Sequence, residues 1–328
     1  MKKNSLESSK SYTLSGSLAP ILTVKPGELF SLSADDAVSG AITTEKDPFT
    51  SKTLEPFSLV TPELANPVTG PVFIEGVHKG DLLAVHIENI IPNSYGVTGI
   101  KVNQGMFHDS KKWKNIFKEP HTKLLMHTDG PSGTKEDGEV HYSDSLKWAA
   151  APFIGTIGVA PEVEVVATSI TQGPWGGNWD CRFICPGSTI YINAFHAGGL
   201  LFVGDVHGSQ GDGELSGIAN EIKATVRLGV DIIKNKKIPY PRIETDEYLI
   251  AFCSTKPLED AIENATSYML DWLTTEYDID ARTAYIVFST CPDFRIDVYQ
   301  MVRMTGISYT AGVRLPKKYL QSMVTANR

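Results

Sequence analysis

The sequence predicts a mainly β protein, a sandwich or barrel up to about residue 250, with helices only near its end. Two observations support the β part. Apolar and polar residues alternate along several short runs, as in strands with one buried face. Glycine and proline interrupt these runs at short spacing, which is typical of all-β folds. A third observation places the helices, because apolar residues recur at helical spacing only after residue 255.

The alternating runs predict individual strands. In "EIKATVRLGV", Ile222 and Val226 fall on one face, and Lys223 and Arg227 fall on the other. The run "PVFIEG", followed by the turn "KGD" and then "DLLAVHIENI", predicts a hairpin with a loop. The strand segments other than "EIKATVRLGV" are 71–76, 81–90, 162–170 and 188–195.

Residues 101–150 and the C-terminal quarter differ from this pattern. The first region mixes histidines, lysines and glycines, and we expect long loops of a functional kind. "TKPLEDAIENATSYMLDWLTTEY" predicts a helix with Pro257 in its first turn. "DIDARTAYIVFST" predicts a second helix capped by Asp278 or Asp280.

Composition limits the partners. The chain has 328 residues and a formal net charge of −8, so no basic excess is present to neutralise the phosphates of a nucleic acid. "MKKNSLESSKSYTLSG" lacks the apolar run of a signal peptide, and no stretch is apolar enough to span a bilayer. We therefore expect a cytoplasmic protein with no nucleic-acid or membrane partner, whose four cysteines are reduced.

The stretch "GDVHGSQGDGE" (204–214) carries the first candidate site. It follows the apolar run "AGGLLFVGD", which predicts a buried strand. Asp205 and His207 would lie on one face at the end of that strand. Mixed oxygen and nitrogen ligands suit zinc, manganese or iron. A solvated surface loop explains the same composition.

Two further groups of polar residues are candidates. Asn178 and Asp180 alternate in "WGGNWDCRF" and would converge on one face, although a surface turn is the alternative. Glu221 opens a predicted strand on its polar face, and either faces solvent or is paired or coordinated. Asp212 and Glu214 lie two residues apart, and one of them could act as general base.

Two other residues are weaker candidates. His196 is close in sequence to Asp205 and His207 and is kept as a supporting residue of that site. Asp36 is either a turn residue or a distant metal ligand.

Three long segments carry a resemblance to a known family. The segments Asn66–Ile90, Gly176–Cys181 and Gly204–Glu221, with the closing "GVRLPKKYL", resemble the acetamidase/formamidase family. The resemblance runs nearly end to end. It implies a β-sandwich with jelly-roll character joined to a smaller α/β part. It also implies hydrolysis of short amides such as formamide or acetamide, with a divalent metal that is zinc or sometimes calcium. We expect residues 1–245 to form the amidase body and 246–328 to pack on it.

The family's motif residues carry over to specific positions of this chain: Asn178, Asp180, Asp205, His207, Gln210, Asp212, Glu214 and Glu221. Two departures are visible. Val206 replaces a glycine of the family's Gly-Asp-Gly-His pattern, which would stiffen the loop. Trp179 stands where the family commonly has methionine, which would reshape a pocket.

The resulting hypothesis assigns a role to each residue. Asp180, Asp205, His207 and Glu221 hold the metal, with Asp36 as a further candidate. Glu214 or Asp212 is the general base, and Asn178 or a backbone N–H of the glycine-rich loop stabilises the oxyanion. Trp179, Gln210 and His196 contact the substrate, although Trp179 is also explained as a core aromatic.

The alternatives are a hydrolase of another small C–N compound and a non-catalytic, metal-stabilised binding protein. A homodimer is expected, since symmetric dimers are the commonest assemblies.

Overall fold

The computed structural model describes residues 10–49, 56–58, 61–304 and 306–326. Strands dominate the described chain, and helices come late, so the predicted mainly β class is confirmed. The strands are β1 (Lys10–Ser11), β2 (Thr13–Leu14), β3 (Leu22–Val24), β4 (Phe30–Ala34), β5 (Pro56–Ser58), β6 (Thr61–Glu63), β7 (Val68–Ile74), β8 (Leu82–Ile100), β9 (His121–Thr128), β10 (Glu139–His141), β11 (Lys147–Ala149), β12 (Phe153–Val159), β13 (Val166–Ala167), β14 (Gln172–Gly173), β15 (Gly176–Asn178), β16 (Thr189–Asn193), β17 (Leu201–His207), β18 (Glu221–Ile233), β19 (Arg242–Glu244), β20 (Tyr248–Thr255), β21 (Arg295–Gln300) and β22 (Tyr309–Pro316).

Both predicted helices are present. They are α1 (Leu258–Glu276) and α2 (Ala281–Thr290), and a short α3 (Leu320–Thr325) follows. Asp280 rather than Asp278 is the N-cap of α2, because its carboxylate accepts a hydrogen bond from the Thr283 N–H at 2.9 Å. Short 3₁₀ turns form at Lys114–Phe117 and Lys317–Tyr319. None of the helices in the described residues is long and apolar enough to cross a membrane.

Among the described residues, 18 strands form one large, curled sheet that is almost wholly antiparallel. The longest strand pair in this sheet is formed by β8 and β18. It extends from Leu82 opposite Ile233 to Val97 opposite Glu221. The predicted alternation along β18 is confirmed, since Val226 is buried and Arg227 is exposed. This curling encloses the main core between sheet faces.

A second core lies beneath the helices. Met269 and Trp272 of α1 pack with Leu249 of β20 and Val313 of β22. These apolar residues recur at helical spacing on one face of α1, which explains why this helix was evident from the sequence. The division of the chain at residue 245 remains a prediction.

The predicted hairpin between 71–76 and 81–90 is wrong. Instead, β7 pairs with β1, β3 and β17, while β8 pairs with β9, β16 and β18. The connection between Ile74 and Leu82 is longer than the two to five residues of a tight hairpin. Each strand therefore finds partners that are distant in sequence.

Two other regions depart from expectation. Of the predicted strand 162–170, only Val166–Ala167 is extended, because Val163 and Val165 are exposed and have no core to cover. Residues 101–150, expected to be long loops, also contain β9 to β11. There Leu125 and Val140 are buried, so this region contributes to the fold.

Candidate functional site

Strand register brings the polar candidates together. His207 at the end of β17 lies directly opposite Glu221 at the start of β18. Strand β12 lies beside both β17 and β15, and Thr156 is opposite Gly204 on one side and Asn178 on the other. The motifs around Asn178, Asp205 and Glu221 therefore meet at one edge of the sheet although they are distant in sequence.

Three carboxylates surround one imidazole. The Nε2 atom of His207 lies 3.3 Å from Glu221 Oε2, 3.6 Å from Asp205 Oδ1 and 3.9 Å from Asp180 Oδ1. We call these four residues the acidic cluster. Their exposed fractions are 1% for Asp205 and His207, 2% for Asp180 and 4% for Glu221. Glu221 is therefore not on a solvent face.

Burial and mutual repulsion shift the charges of the acidic cluster. Burial raises the pKa of Asp180, and repulsion from Asp205 and Glu221 adds to this effect. Burial likewise raises the pKa of Glu221, although His207 opposes it. Burial alone would lower the pKa of His207, but the charges of Glu221 and Asp205 outweigh it and raise that pKa. A buried carboxyl group in these surroundings is neutralised by a bound proton or compensated by a nearby positive charge.

The donor atoms of the acidic cluster fit a divalent cation. Among the described residues, Asp205 Oδ1 and Glu221 Oε2 are buried without any hydrogen-bond partner. Both atoms face His207 Nε2. Possible ligand atoms of Asp180, Asp205 and His207, and those of His207, Glu214 and Glu221, lie within 4.8 Å of one another. Oxygen and imidazole donors at this spacing suit zinc and related ions.

Gln210 determines which nitrogen of His207 is available. Its Nε2 donates to the carbonyl oxygens of Asp180 at 3.1 Å and Tyr299 at 2.9 Å, which fixes the orientation of the amide. Its Oε1 therefore faces His207 Nδ1, at 2.8 Å. An amide oxygen only accepts, so Nδ1 carries the proton and Nε2 is free to act as a ligand.

Two residues that the sequence analysis missed complete the site. Asn66 Nδ2 donates to Asp205 Oδ2 at 2.6 Å, and the Thr156 hydroxyl lies 3.0 Å from that oxygen and from Asn178 Oδ1. Asn66 opens the first family-like segment, and that position was a usable signal. Thr156 lies within a plain apolar strand, "FIGTIGV", and gave none.

The site is also a place of unusual backbone conformation. Asn66, Asp180, Asp205 and Glu214 all have positive φ, between 45° and 54°. Residues other than glycine rarely adopt this region. Such conformations persist where the surrounding structure imposes them, and they concentrate at functional sites.

Glu214 and Asp212, the two candidate bases, have different surroundings. Glu214 is buried, and burial together with the charge of Asp180 raises its pKa. Asp212 has a side chain that is 50% exposed and forms an ion pair with Arg182. The structure therefore brings Glu214, and not Asp212, to the acidic cluster.

A cavity of about 600 Å³, the inner cavity, lies over the acidic cluster. Glu214, Asn66 and Asn178 are in its polar wall, and Ile170 and Val302 are in its apolar wall. Val302 comes from the C-terminal region, which thus contributes to the cavity. A second cavity of about 990 Å³ lies next to it and contains Asp212 and Gln210. Glu214 lines both cavities.

Three predicted site residues lie away from the inner cavity. His196 Nε2 hydrogen-bonds to the Pro161 carbonyl oxygen at 2.6 Å. Asp36 accepts hydrogen bonds from two backbone N–H groups of its own turn. Trp179 is a core aromatic, and its ring packs edge-on against Phe252 at 4.8 Å. His196 and Asp36 have structural contacts that account for them, and Trp179 is buried outside the residues that line the inner cavity.

Solved structures identify the class of protein. The fold matches the crystal structure of an acetamidase from Yersinia enterocolitica with a TM-score of 0.83 and 31% identity, covering 95% of this chain and 89% of that one. The sequence model of the Acetamidase/Formamidase family matches residues 15–172 and 167–318. The chain belongs to this family, which confirms the resemblance seen in its motifs.

Two curated relatives agree with this assignment. An acetamidase from Mycolicibacterium smegmatis is 27% identical in an alignment 263 residues long, and the match covers 65% of this chain and 63% of that protein. A protein of Schizosaccharomyces pombe that carries the name formamidase is 24% identical in an alignment 212 residues long, and the match covers 51% of this chain and 52% of that protein. The chain thus spans between about half and two thirds of the length of these relatives.

Proposed function

We propose that this protein is a metal-dependent amidase that hydrolyses short aliphatic amides, such as formamide or acetamide, to ammonia and a carboxylate. The observation that carries the proposal is the acidic cluster, which lies buried beneath a cavity in a chain of this family. Among the described residues, Asp205 and Glu221 each have a buried oxygen that makes no hydrogen bond and has only the His207 imidazole as an ion-pair partner, so a cation there would be favourable.

Asp180, Asp205, His207 and Glu221 would hold the cation, with zinc the first choice and calcium the second. A cation bound there supplies Lewis-acid chemistry, which lowers the pKa of water and polarises a carbonyl group. Gln210 keeps His207 in the tautomer that this binding requires. Gln210 was expected to contact substrate, but its amide is already engaged by three protein groups.

Glu214 would act as the general base. Its carboxyl group lies in the wall of the inner cavity and in one ligand set with His207 and Glu221. It would accept a proton from the attacking water and deliver it to the leaving nitrogen, which must be protonated to depart as ammonia. Asp212 is a poorer choice, because its carboxylate is paired with Arg182 outside this cavity.

Asn178 would stabilise the oxyanion. Its Nδ2 donates one hydrogen bond to the Ser169 carbonyl oxygen at 3.2 Å, which leaves the second N–H for the substrate. Its Oδ1 accepts from Thr156, so the orientation of the amide is fixed. A donor that is positioned before the reaction stabilises developing negative charge without reorganisation.

Two alternatives use the same site. A hydrolase of another small C–N compound would need only a different pocket wall, and a binding protein would hold the metal without turnover. The homodimer and the cytoplasmic location also remain predictions.

The test is ammonia release from formamide and acetamide by purified protein, with its metal content measured before and after chelation. We expect release that is lost on chelation and returns when zinc is added back. Release that survives verified metal removal would contradict the metal roles. Metal-replete protein that releases no ammonia would contradict amide hydrolysis and favour one of the alternatives.

A further inference from the structure

The inner cavity contains a buried carboxamide that the proposed chemistry does not use. Gln300 has an exposed fraction of 0% and lines the cavity. Among the described residues, neither its Oε1 nor its Nε2 has a hydrogen-bond partner. Buried polar groups are almost always paired, because an unpaired donor or acceptor is costly. An unpaired donor and acceptor on the wall of a binding cavity indicate a ligand that completes both bonds.

Strand β21 directs this side chain toward the site. Tyr299, the residue before it, packs in the core against Phe183, whereas Gln300 is among the residues that line the inner cavity. The pairing of β21 with β22 is irregular between Val298 and Gln300, and such bulges re-aim side chains next to active sites. Gln300 therefore faces the inner cavity.

The loop that carries Glu214 is fixed to the same strand. Gly213 N–H donates to the Val298 carbonyl oxygen at 2.8 Å, and Met301 N–H donates to the Gly213 carbonyl oxygen at 3.0 Å. Gln300 and Glu214 are thus held on adjoining backbone segments. A substrate that contacts Gln300 would lie beside the proposed base.

Three other carboxamides of the inner cavity each donate a hydrogen bond to a protein group. Asn66 donates to Asp205, Asn178 donates to Ser169, and Gln104 Nε2 donates to the Gly217 carbonyl oxygen at 2.7 Å. Gln300 differs from them because its complete donor and acceptor pair is available.

We propose that Gln300 recognises the carboxamide of a primary amide, an inference that rests on the proposed amide hydrolysis. Its Nε2 donates to the substrate carbonyl oxygen, and its Oε1 accepts from the substrate N–H on the same side as that oxygen. This head-to-head pair matches one donor and one acceptor on each partner. It also holds the leaving nitrogen in a fixed position.

This pairing excludes amides with a substituted nitrogen. A secondary amide prefers the trans form, in which its N-substituent lies on the same side as the carbonyl oxygen. That position is where Gln300 Oε1 accepts, so an N-methyl group would meet an oxygen and leave it unpaired. Sites that hydrogen-bond a substrate N–H discriminate strongly against analogues that lack it.

The test compares acetamide with N-methylacetamide, with ammonia and methylamine measured separately. In the wild type we expect kcat/KM for acetamide to be higher by at least about 100-fold. Gln300→Met and Gln300→Asn, which remove or shorten the carboxamide, should each reduce that ratio at least about tenfold. Both kcat/KM values are measured on the same preparation of each variant. A misfolded fraction lowers both values equally and does not change their ratio. Gln104→Met is the matched control, and its ratio should equal that of the wild type.

Three results would overturn the assignment. Equal turnover of both substrates by the wild type would show no recognition of the free N–H. An unchanged ratio in both Gln300 variants would remove Gln300 from recognition while leaving amide hydrolysis intact. Absence of ammonia release from any primary amide by the wild type would remove the proposed function together with the inference.

Discussion

Two buried regions of the molecule hold carboxylates, and their surroundings are opposite. The loop before β8 buries Asp81, which accepts backbone hydrogen bonds from His78 at 2.8 Å and Asn235 at 3.1 Å. Lys234 Nζ lies 2.9 Å from the same carboxylate. Burial works to raise the pKa of Asp81, but these donors outweigh it and lower the pKa to about 2. In the acidic cluster, the carboxylates instead face one imidazole and one another.

The two sets of surroundings indicate a structural role for Asp81 and a functional role for the acidic cluster. A buried carboxylate with fixed donors stabilises the fold in its charged form. Carboxylates with unpaired oxygens and raised pKa values destabilise the fold unless a cation joins them. Natural proteins retain such costly arrangements where function requires them.

Removal of one cluster carboxylate should have the largest effect. Asp205→Asn should lower kcat/KM for acetamide by at least about 10³-fold, because a metal ion contributes several kcal/mol to the transition state. The purified variant should also retain less zinc. Asp212→Asn is the matched control, and it should keep its metal and change activity only a fewfold. Full activity of Asp205→Asn would contradict the site.

The second prediction tests whether Glu214 acts as a general base or as a metal ligand. Glu214→Gln should lower kcat by about 10²- to 10³-fold, because general base catalysis is lost. Its metal content should stay at the wild-type level, as measured by elemental analysis. Loss of the metal together with activity would instead make Glu214 a ligand, which its position near His207 and Glu221 also allows.

The third prediction concerns support of the imidazole. Gln210→Met removes the acceptor of His207 Nδ1, and metal affinity should fall by about 10- to 100-fold. Chelator titration measures this change. Excess zinc should restore much of the activity, which would not occur if Gln210 acted mainly on the substrate.

Replacement of Asp81 should have a smaller effect, on the free energy of unfolding rather than on activity. At pH 7, Asp81→Asn should lower the free energy of unfolding by about 2 kcal/mol, since bonds to a charged group are lost. The native pKa is lowered, so this contribution is present above the unfolded pKa of Asp and is lost as pH falls toward about 2. The difference between variant and wild type should therefore shrink on acidification, as measured by denaturant unfolding.

Glu221→Gln is the counterpart in the other region. In metal-free protein it should leave stability unchanged or raise it, because it removes a buried carboxylate whose pKa is raised. A loss of stability as large as that of Asp81→Asn would contradict the distinction between the two regions.

Local pattern was sufficient for several features of this protein. The alternation along β18 and the helical spacing in α1 depend on near neighbours, so the sequence predicted them. For the same reason it limited the capping residue of α2 to Asp278 or Asp280. The motifs around Asp205 and His207 were visible for the same reason. The family resemblance joined these motifs into one site.

Long-range pairing decided the rest. Only the register of β17 with β18 places His207 opposite Glu221, and only β12 inserts Thr156 beside Asp205. Asp212 and Glu214 are two residues apart in sequence. Asp212 forms an ion pair outside the inner cavity, whereas Glu214 is buried beside the acidic cluster. Gln300 became a candidate only from the structure, which shows the bulge in its strand and the absence of hydrogen-bond partners for its carboxamide among the described residues. The sequence determined which side chains were available, and the tertiary structure decided which were buried without partners, because burial and pairing depend on neighbours that are distant along the chain.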